Sequence, residues 1–322
     1  MKTVNGSTLR DVIQQNITIL LGVLIIALFV LGEVISHGFL SFGHIGAVLR
    51  TASFLGIVSI GQSLVILTAG IDLSVGALIT MGNVFTCMLI NGLDSNTLWS
   101  IAVIILLGAT FGTFNGLGVA YLRISPLVMT LAIGSLVTGI TLIVSQGAPK
   151  GLASPMLRFI GVGSVLHGIP VIVIVWLLLS LLVIMLLRTT IFGRKIYYIG
   201  ANARASYLSG IKVNTNLMLV YAISGGSAAL TGALMAGYTH TAFLGIGNEY
   251  ILWSITAVVI GGTSLTGGKG GYAGTIAGAI LLVLLESLLT VIKMPEAGRK
   301  IATGLLILIM ISIYFRQKNQ RT

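Results

Sequence analysis

Ten apolar segments divide this chain, at about 17–36, 45–69, 72–92, 98–122, 127–145, 170–187, 217–239, 250–264, 271–292 and 298–315. Most approach the ~20 residues that an α-helix needs to cross a bilayer. Backbone in hydrocarbon must satisfy its own hydrogen bonds, which makes helices the expected form of every segment. The eighth segment is short and ends in glycine, as expected of a partial span buried against its neighbours. Charged residues make up 8% of the 322 residues, where soluble domains carry about 25%. The fold class is therefore all-α: a polytopic membrane helical bundle of about ten transmembrane segments, forming one domain over 1–322.

Charge then sets orientation. The net charge of +11 sits at segment ends and in loops, where Lys and Arg orient a membrane protein and meet anionic lipid headgroups. Lipid is thus an expected partner, and nucleic acid is not. With the N-terminus inside, the inner loops hold Lys2, Arg10, Arg123, Arg188, Arg194, Lys195, Arg204, Lys212, Lys269, Arg316, Lys318 and Arg321, twelve in all. The outer loops hold six: Arg50, Lys150, Arg158, Lys293, Arg299 and Lys300. Twelve against six predicts both termini in the cytoplasm. Lys2 and Arg10 precede a long apolar run with no small-residue cleavage site, which reads as an uncleaved first span. Trp99, Trp176 and Tyr314 suit interfacial aromatic belts.

Small residues recur at every fourth position in three runs: Gly108, Gly112 and Gly116; Gly225, Ala229, Ala233 and Gly237; Gly270, Gly274 and Gly278. Such stripes let helix backbones approach closely and predict a tight bundle. The outer connection 146–169, with Pro149 and Pro155, is expected on the surface, where it could receive a partner.

Polar residues inside apolar sequence are the candidates for function. Asp72 falls at a break between the second and third segments, after Gly70. Asp72 or Ser74 is expected to cap the third helix, the alternative being a place on a substrate path. Asn83 and Asn115 are expected to bond between helices, a place on the substrate path being the lesser alternative for both. Glu286 cannot face lipid cheaply, so it either bonds a neighbour or lines a cavity. Tyr238, Phe243, Tyr250 and Trp253 gather around the turn between the seventh and eighth segments, where a membrane interface belt or an aromatic face on a solute path would explain them.

Several chemistries fail on spacing. The run Val258–Gly271 is glycine-rich, but Thr263 stands where a phosphate-binding loop needs glycine, and Gly270 follows Lys269 in place of Ser or Thr. Gly268, Gly270 and Ala273 fit a looser dinucleotide pattern without a βαβ unit around them. His37, His44, His167 and His240 lack metal-site spacing. The lone Cys87 permits no intrachain disulfide. No nucleophile–base pair stands out, so no enzyme is predicted, and neither a cofactor nor a metal is expected in this chain.

The longest hydrophilic stretch is 188–216, which carries five of the eighteen basic residues and no acid. Within it, Asn202–Ile211 reads as a short helix, capped by Asn202 and ended by Gly210. Two readings stay open on the residues alone: a solvated loop, or a docking helix that another protein grips.

Five motifs in order carry a resemblance: Gly70-Ile-Asp-Leu-Ser-Val-Gly76, Phe114-Asn-Gly116, Phe192-Gly-Arg194, Gly200-Ala-Asn202 with Ser209-Gly-Ile211, and Val258-Val-Ile-Gly-Gly-Thr-Ser-Leu-Thr-Gly-Gly268. Over nearly its whole length the chain resembles the membrane (permease) subunits of bacterial ATP-binding-cassette (ABC) importers for monosaccharides, the ribose, xylose and galactose permease family. The resemblance implies a multi-pass protein of the cytoplasmic (inner) membrane. It implies a second permease subunit, the same or a homologous chain, two cytoplasmic ABC ATPase subunits that bind the ATP and Mg, and a periplasmic substrate-binding protein. The segment matching Gly200–Val213 would be the coupling helix set into the ATPase, which assigns Asn202, Ala203, Arg204, Ala205, Ser206, Leu208, Ser209 and Gly210 to coupling. Asp72, Ser74, Asn115 and Trp253 are the candidates for the substrate pathway; relatives carry an acid near the position of Trp253, and here the nearest acid is Glu249. The alternative function is a proton-coupled secondary transporter of a small polar solute, which would need a carboxylate relay; Asp72, Glu286 and Glu33 are scattered instead.

Overall fold

The computed structural model describes residues 17–165, 168–305 and 308. The first helices are α1 (Ile17–Ile35), α2 (Phe42–Leu67) and α3 (Val75–Ile90). A 3-10 turn (Asp94–Asn96) leads into α4 (Thr97–Ala120), then α5 (Pro126–Ser145) and the short α6 (Pro155–Val162). A two-stranded antiparallel hairpin, β1 (Ser164–Val165) and β2 (Ile169–Pro170), precedes α7 (Val171–Thr189). Then come α8 (Ile191–Ala201), α9 (Ala203–Leu208), α10 (Val213–Thr239), α11 (Tyr250–Ile260) and α12 (Tyr272–Val291), with further helix over 296–305.

The chain is an all-α polytopic membrane protein. Among the described residues seven helices are long and apolar enough to span: α1, α2, α4 with its leading turn, α5, α7, α10 and α12. Two shorter apolar helices, α3 with 16 residues and α11 with 11, complete the bundle core. Half of the last apolar segment, 298–315, lies outside the described residues, as do Lys2, Arg10, His167, Tyr314, Arg316, Lys318 and Arg321.

Helix α10 is the hub, and α4, α3, α2 and α6 all pack on it. Two glycine stripes make that possible. A Cβ at Gly108 would stand 2.4 Å from the Gly225 carbonyl oxygen, and one at Gly112 would stand 2.2 Å from that of Tyr221. Backbones meet there, as the spacing predicts. Helix α1 is peripheral: it leans on α12, and only 11% of its span is buried.

The loops gather at two opposite ends. At one, Gly92 N–H donates to Leu152 O (2.8 Å), Ala153 N–H to His240 O (3.0 Å), and Thr97 and Ser154 share a hydroxyl bond (2.7 Å). At the other, Gly268 N–H donates to Leu67 O (2.9 Å), and Tyr197 Oη to Gly270 O (3.0 Å). Partial burial raises the phenol of Tyr197, a residue of α8, above its ordinary pKa, opposed only in part by Arg188, so it remains a protonated donor.

Three expectations change. The connection 146–169 is not wholly superficial, because α6 inserts fully buried Leu157 beside α10, with Gly161 against Gly237. Trp176 is not an interfacial residue. It is 1% exposed, lies over Gly56 where any Cβ would collide with its ring, and donates from Nε1 to Tyr272 Oη (2.9 Å). The third helix begins at Val75 rather than at 72, because Ala69 (φ 62°) turns the chain out of α2 and residues 70–73 belong to neither helix.

Candidate functional site

The 188–216 stretch folds as two helices. Thr190 caps α8 by accepting from Gly193 N–H (3.0 Å), and buried Gly193, Ile196, Ile199 and Gly200 form its inner face. Sequence reasoning missed α8, although Thr190 before apolar residues at helical spacing was its signal. Helix α9 follows after one extended residue, Asn202, whose Oδ1 accepts from Ala205 N–H (2.9 Å). It ends two residues before Gly210, with Gly210 N–H donating to Tyr207 O and Ile211 N–H to Ser206 O, both 3.0 Å. The latter bond, with Gly210 left-handed at φ +81°, is a Schellman stop. It also makes α9 six residues, shorter than the expected 202–211.

Of the eight residues assigned to coupling, Ser206 is buried and Asn202, Ala203, Arg204, Ala205, Leu208, Ser209 and Gly210 are exposed. Leu208 is 75% exposed and Tyr207, in the same helix, 70%. Beneath α9 the backbone is tightly keyed. A Cβ at Gly200 would sit 1.8 Å from Leu67 O and 2.5 Å from Gly268 N, so α8, the end of α2 and the glycine-rich loop 261–271 meet at one point.

Five residues beyond Leu67 lies the second candidate. Asp72, fully buried, accepts at Oδ1 from Ser74 N–H (2.9 Å) and Ser74 Oγ (2.6 Å), and at Oδ2 from Ser224 Oγ of α10 (2.7 Å). Asn115 Nδ2 of α4 donates to Ser74 Oγ (2.9 Å), and Thr130 Oγ1 of α5 accepts from Leu73 N–H (3.1 Å). Neither Asp72 nor Ser74 therefore caps α3 in the expected way: no side chain accepts from the amides of its first turn. Asp72 instead ties the break to α10. A three-donor carboxylate without a cation bonded to it can stay buried only while those donors hold.

The structure thus joins Asp72, Ser74 and Asn115 and leaves out Trp253, whose ring meets that of Tyr250 at a tilt, centroids 6.4 Å apart, on α11. The aromatic group also divides: Tyr238 packs on Phe54 (5.6 Å), while Phe243 is 61% exposed. Ser224 and Thr130 escaped sequence reasoning because hydroxyls in apolar helices usually bond their own backbone. Asn83 does link helices, donating from Nδ2 to Thr239 Oγ1 at the end of α10 (3.5 Å), and its Oδ1 accepts from Phe243 N–H of the following loop (2.7 Å). Asp72→Asn is expected to lower unfolding stability by about 1–3 kcal/mol, because it replaces one acceptor by a donor facing Ser224. Thermal melting of the two proteins in one detergent measures it, and an unchanged midpoint would show the carboxylate's charge to be dispensable for the fold.

Residues 44–311 match the family described as the permease component of the branched-chain amino acid transport system. The chain belongs to this family. It is 34% identical over 308 residues to the ribose import permease protein of Bacillus subtilis (strain 168), covering 94% of this chain and 93% of that protein. It is 32% identical to an inner membrane ABC transporter permease protein of Escherichia coli (strain K12), over 89% of each chain. It is 28% identical to the D-allose transport system permease protein of the same strain, over 90% of this chain and 88% of the other. No solved structure matches it. The permease is thus a multi-pass inner-membrane transport component and not an enzyme, of a family whose members work with an ATPase and a substrate-binding partner.

Proposed function

We propose that this permease forms the membrane pathway for a monosaccharide in an ATP-driven importer. The observation that carries this reading is near full-length similarity to ribose import permeases, with D-allose permease also among the relatives. Residues 1–322 act as a single permease domain, and 188–216 is its cytoplasmic coupling segment. The exposed face of α9 docks into a groove on the ATPase, supported by its solvent-facing Tyr207 and Leu208 in a segment without acids. The chain itself holds no cofactor; ATP and Mg bind the ATPase. A periplasmic binding protein delivers the sugar at the end formed by 91–96, 146–170 and 240–249. A second permease, identical or homologous, completes the pathway.

Ten crossings with both termini in the cytoplasm fit the two loop clusters. Leu67, Gly200 and Gly268 meet at the end that carries the basic α8–α9 segment, and Leu152, Ser154 and His240 at the opposite end. In this topology α3 and α11 count as short crossings buried by their neighbours, as non-lipid-facing segments can be.

Vesicles reconstituted with the permease, its ATPase and a ribose-loaded binding protein should accumulate sugar only with ATP on the ATPase side. Accumulation driven by a pH gradient without ATP would overturn the importer reading and leave proton coupling in its place.

A further inference from the structure

The Asp72 joint holds more hydrogen-bonding capacity than it uses. Tyr221 Oη and Asn115 Oδ1 are buried and take no hydrogen bond, although a buried polar atom without a partner is costly. Both belong to this joint. Tyr221 lies one helical turn before Ser224 on α10, and its hydroxyl would stand 2.5 Å from a Cβ at Gly70, two residues before Asp72. Asn115 already touches the network through its other amide atom. The segment between them is irregular backbone, entered through left-handed Ala69. Ala69 itself and Leu67, two residues further back, are in contact with the Gly200–Gly267–Gly268 key that underlies α9.

We propose that the α2–α3 break is a two-position polar latch, in which Asp72 exchanges its Ser224 bond for Tyr221 Oη when the keyed backbone below it moves, while Asn115 Oδ1 takes up a hydrogen bond released at Ser74 or Ser224. Tyr221 and Asn115 are positioning residues for the transport step: their free atoms are the partners of the second position. The Tyr221 donor replaces the Ser224 donor in the exchange, so neither position leaves the carboxylate bare. The exchange needs only a small rotation of residues 70–74, because Tyr221 and Ser224 sit on the same face of α10. In the importer reading, on which the transport part of this proposal rests, α9 shifts with the ATPase and the key carries that shift to the latch.

Tyr221→Phe separates a latch from a merely structural tyrosine. Its hydroxyl bonds nothing in the position described, so removing it should leave abundance and melting temperature unchanged or slightly raised. Uptake by the reconstituted assembly should nevertheless fall on the order of tenfold, the effect of one hydrogen bond of ordinary strength in the second position. Wild-type uptake in a Tyr221→Phe assembly would overturn the proposal while leaving ATP-driven import standing. A second measurement does not depend on what powers transport. The full-length permease labelled with 3-fluorotyrosine in nanodiscs should show two exchanging fluorine environments for Tyr221, assigned through Tyr221→Phe, and Asp72→Asn should shift their populations. One invariant environment, in both the wild type and Asp72→Asn, would overturn the latch whether or not ATP drives uptake.

Discussion

Gly210→Pro is expected to abolish ATP-driven transport while leaving the permease in the membrane. Gly210 has φ +81°, and its N–H donates to Tyr207 O. Proline fixes φ near −65° and has no N–H, so it can adopt neither feature. The Schellman stop then opens, the Ile211–Ser206 bond goes with it, and the C-terminal end of α9, only six residues long, is left with the Ser209 N–H bond to Ala205 O. A local cost of about 3 kcal/mol or more corresponds to roughly a hundredfold loss of docking-competent α9. Ala205→Glu should give the same functional result by another route, placing a charge on the exposed docking face without disturbing the Asn202 cap. Sugar uptake and ATP hydrolysis, normalised to permease in the membrane, are the measurements. Normal uptake in both variants would remove α9 from the coupling mechanism.

Gly112→Leu carries the largest expected effect on stability. Its Cβ alone would lie 2.2 Å from the Tyr221 carbonyl oxygen, and the neighbouring stripe positions Gly108 and Gly116 leave no slack, at 2.4 Å from Gly225 O and 2.5 Å from Met218 Cα. The obstacle is backbone, which no rotamer change relieves, so α4 must separate from the hub helix. The cost should exceed the ~1–3 kcal/mol of ordinary overpacking, because separation also exposes every contact along that face. Gly22→Leu is the matched control: nothing lies within 4 Å of its Cβ position on α1. The fraction of permease that stays monodisperse after detergent extraction should collapse for Gly112→Leu and hold for Gly22→Leu. Equal recovery of the two would mean that the α4–α10 contact is not what holds the bundle.

Much of the arrangement was legible from residue order alone. Apolar length forces helices wherever backbone must satisfy itself in lipid, and a helix fills most of the described part of each of the ten segments. The four-residue spacing of Gly108, Gly112 and Gly116 announces a backbone-to-backbone contact, because only small residues allow one. The Asn202 cap and the Gly210 stop are local features, written in neighbouring residues, and both are present in the structure.

What the sequence could not determine depends on which helix meets which. Trp176 has the same composition-level signature as a belt aromatic, and only the proximity of Gly56 and Tyr272 places it in the core. Asp72 precedes a helix, as a cap does, yet its second oxygen is taken by Ser224, 152 positions away. The keyed contact of Leu67, Gly200 and Gly268 likewise joins three segments with no local reason to meet. Hydropathy and capping are short-range properties, fixed by a residue's own neighbours along the chain. The partners of a buried carboxylate and the fit of one glycine against another backbone are properties of the packed bundle, and tertiary structure alone decided them.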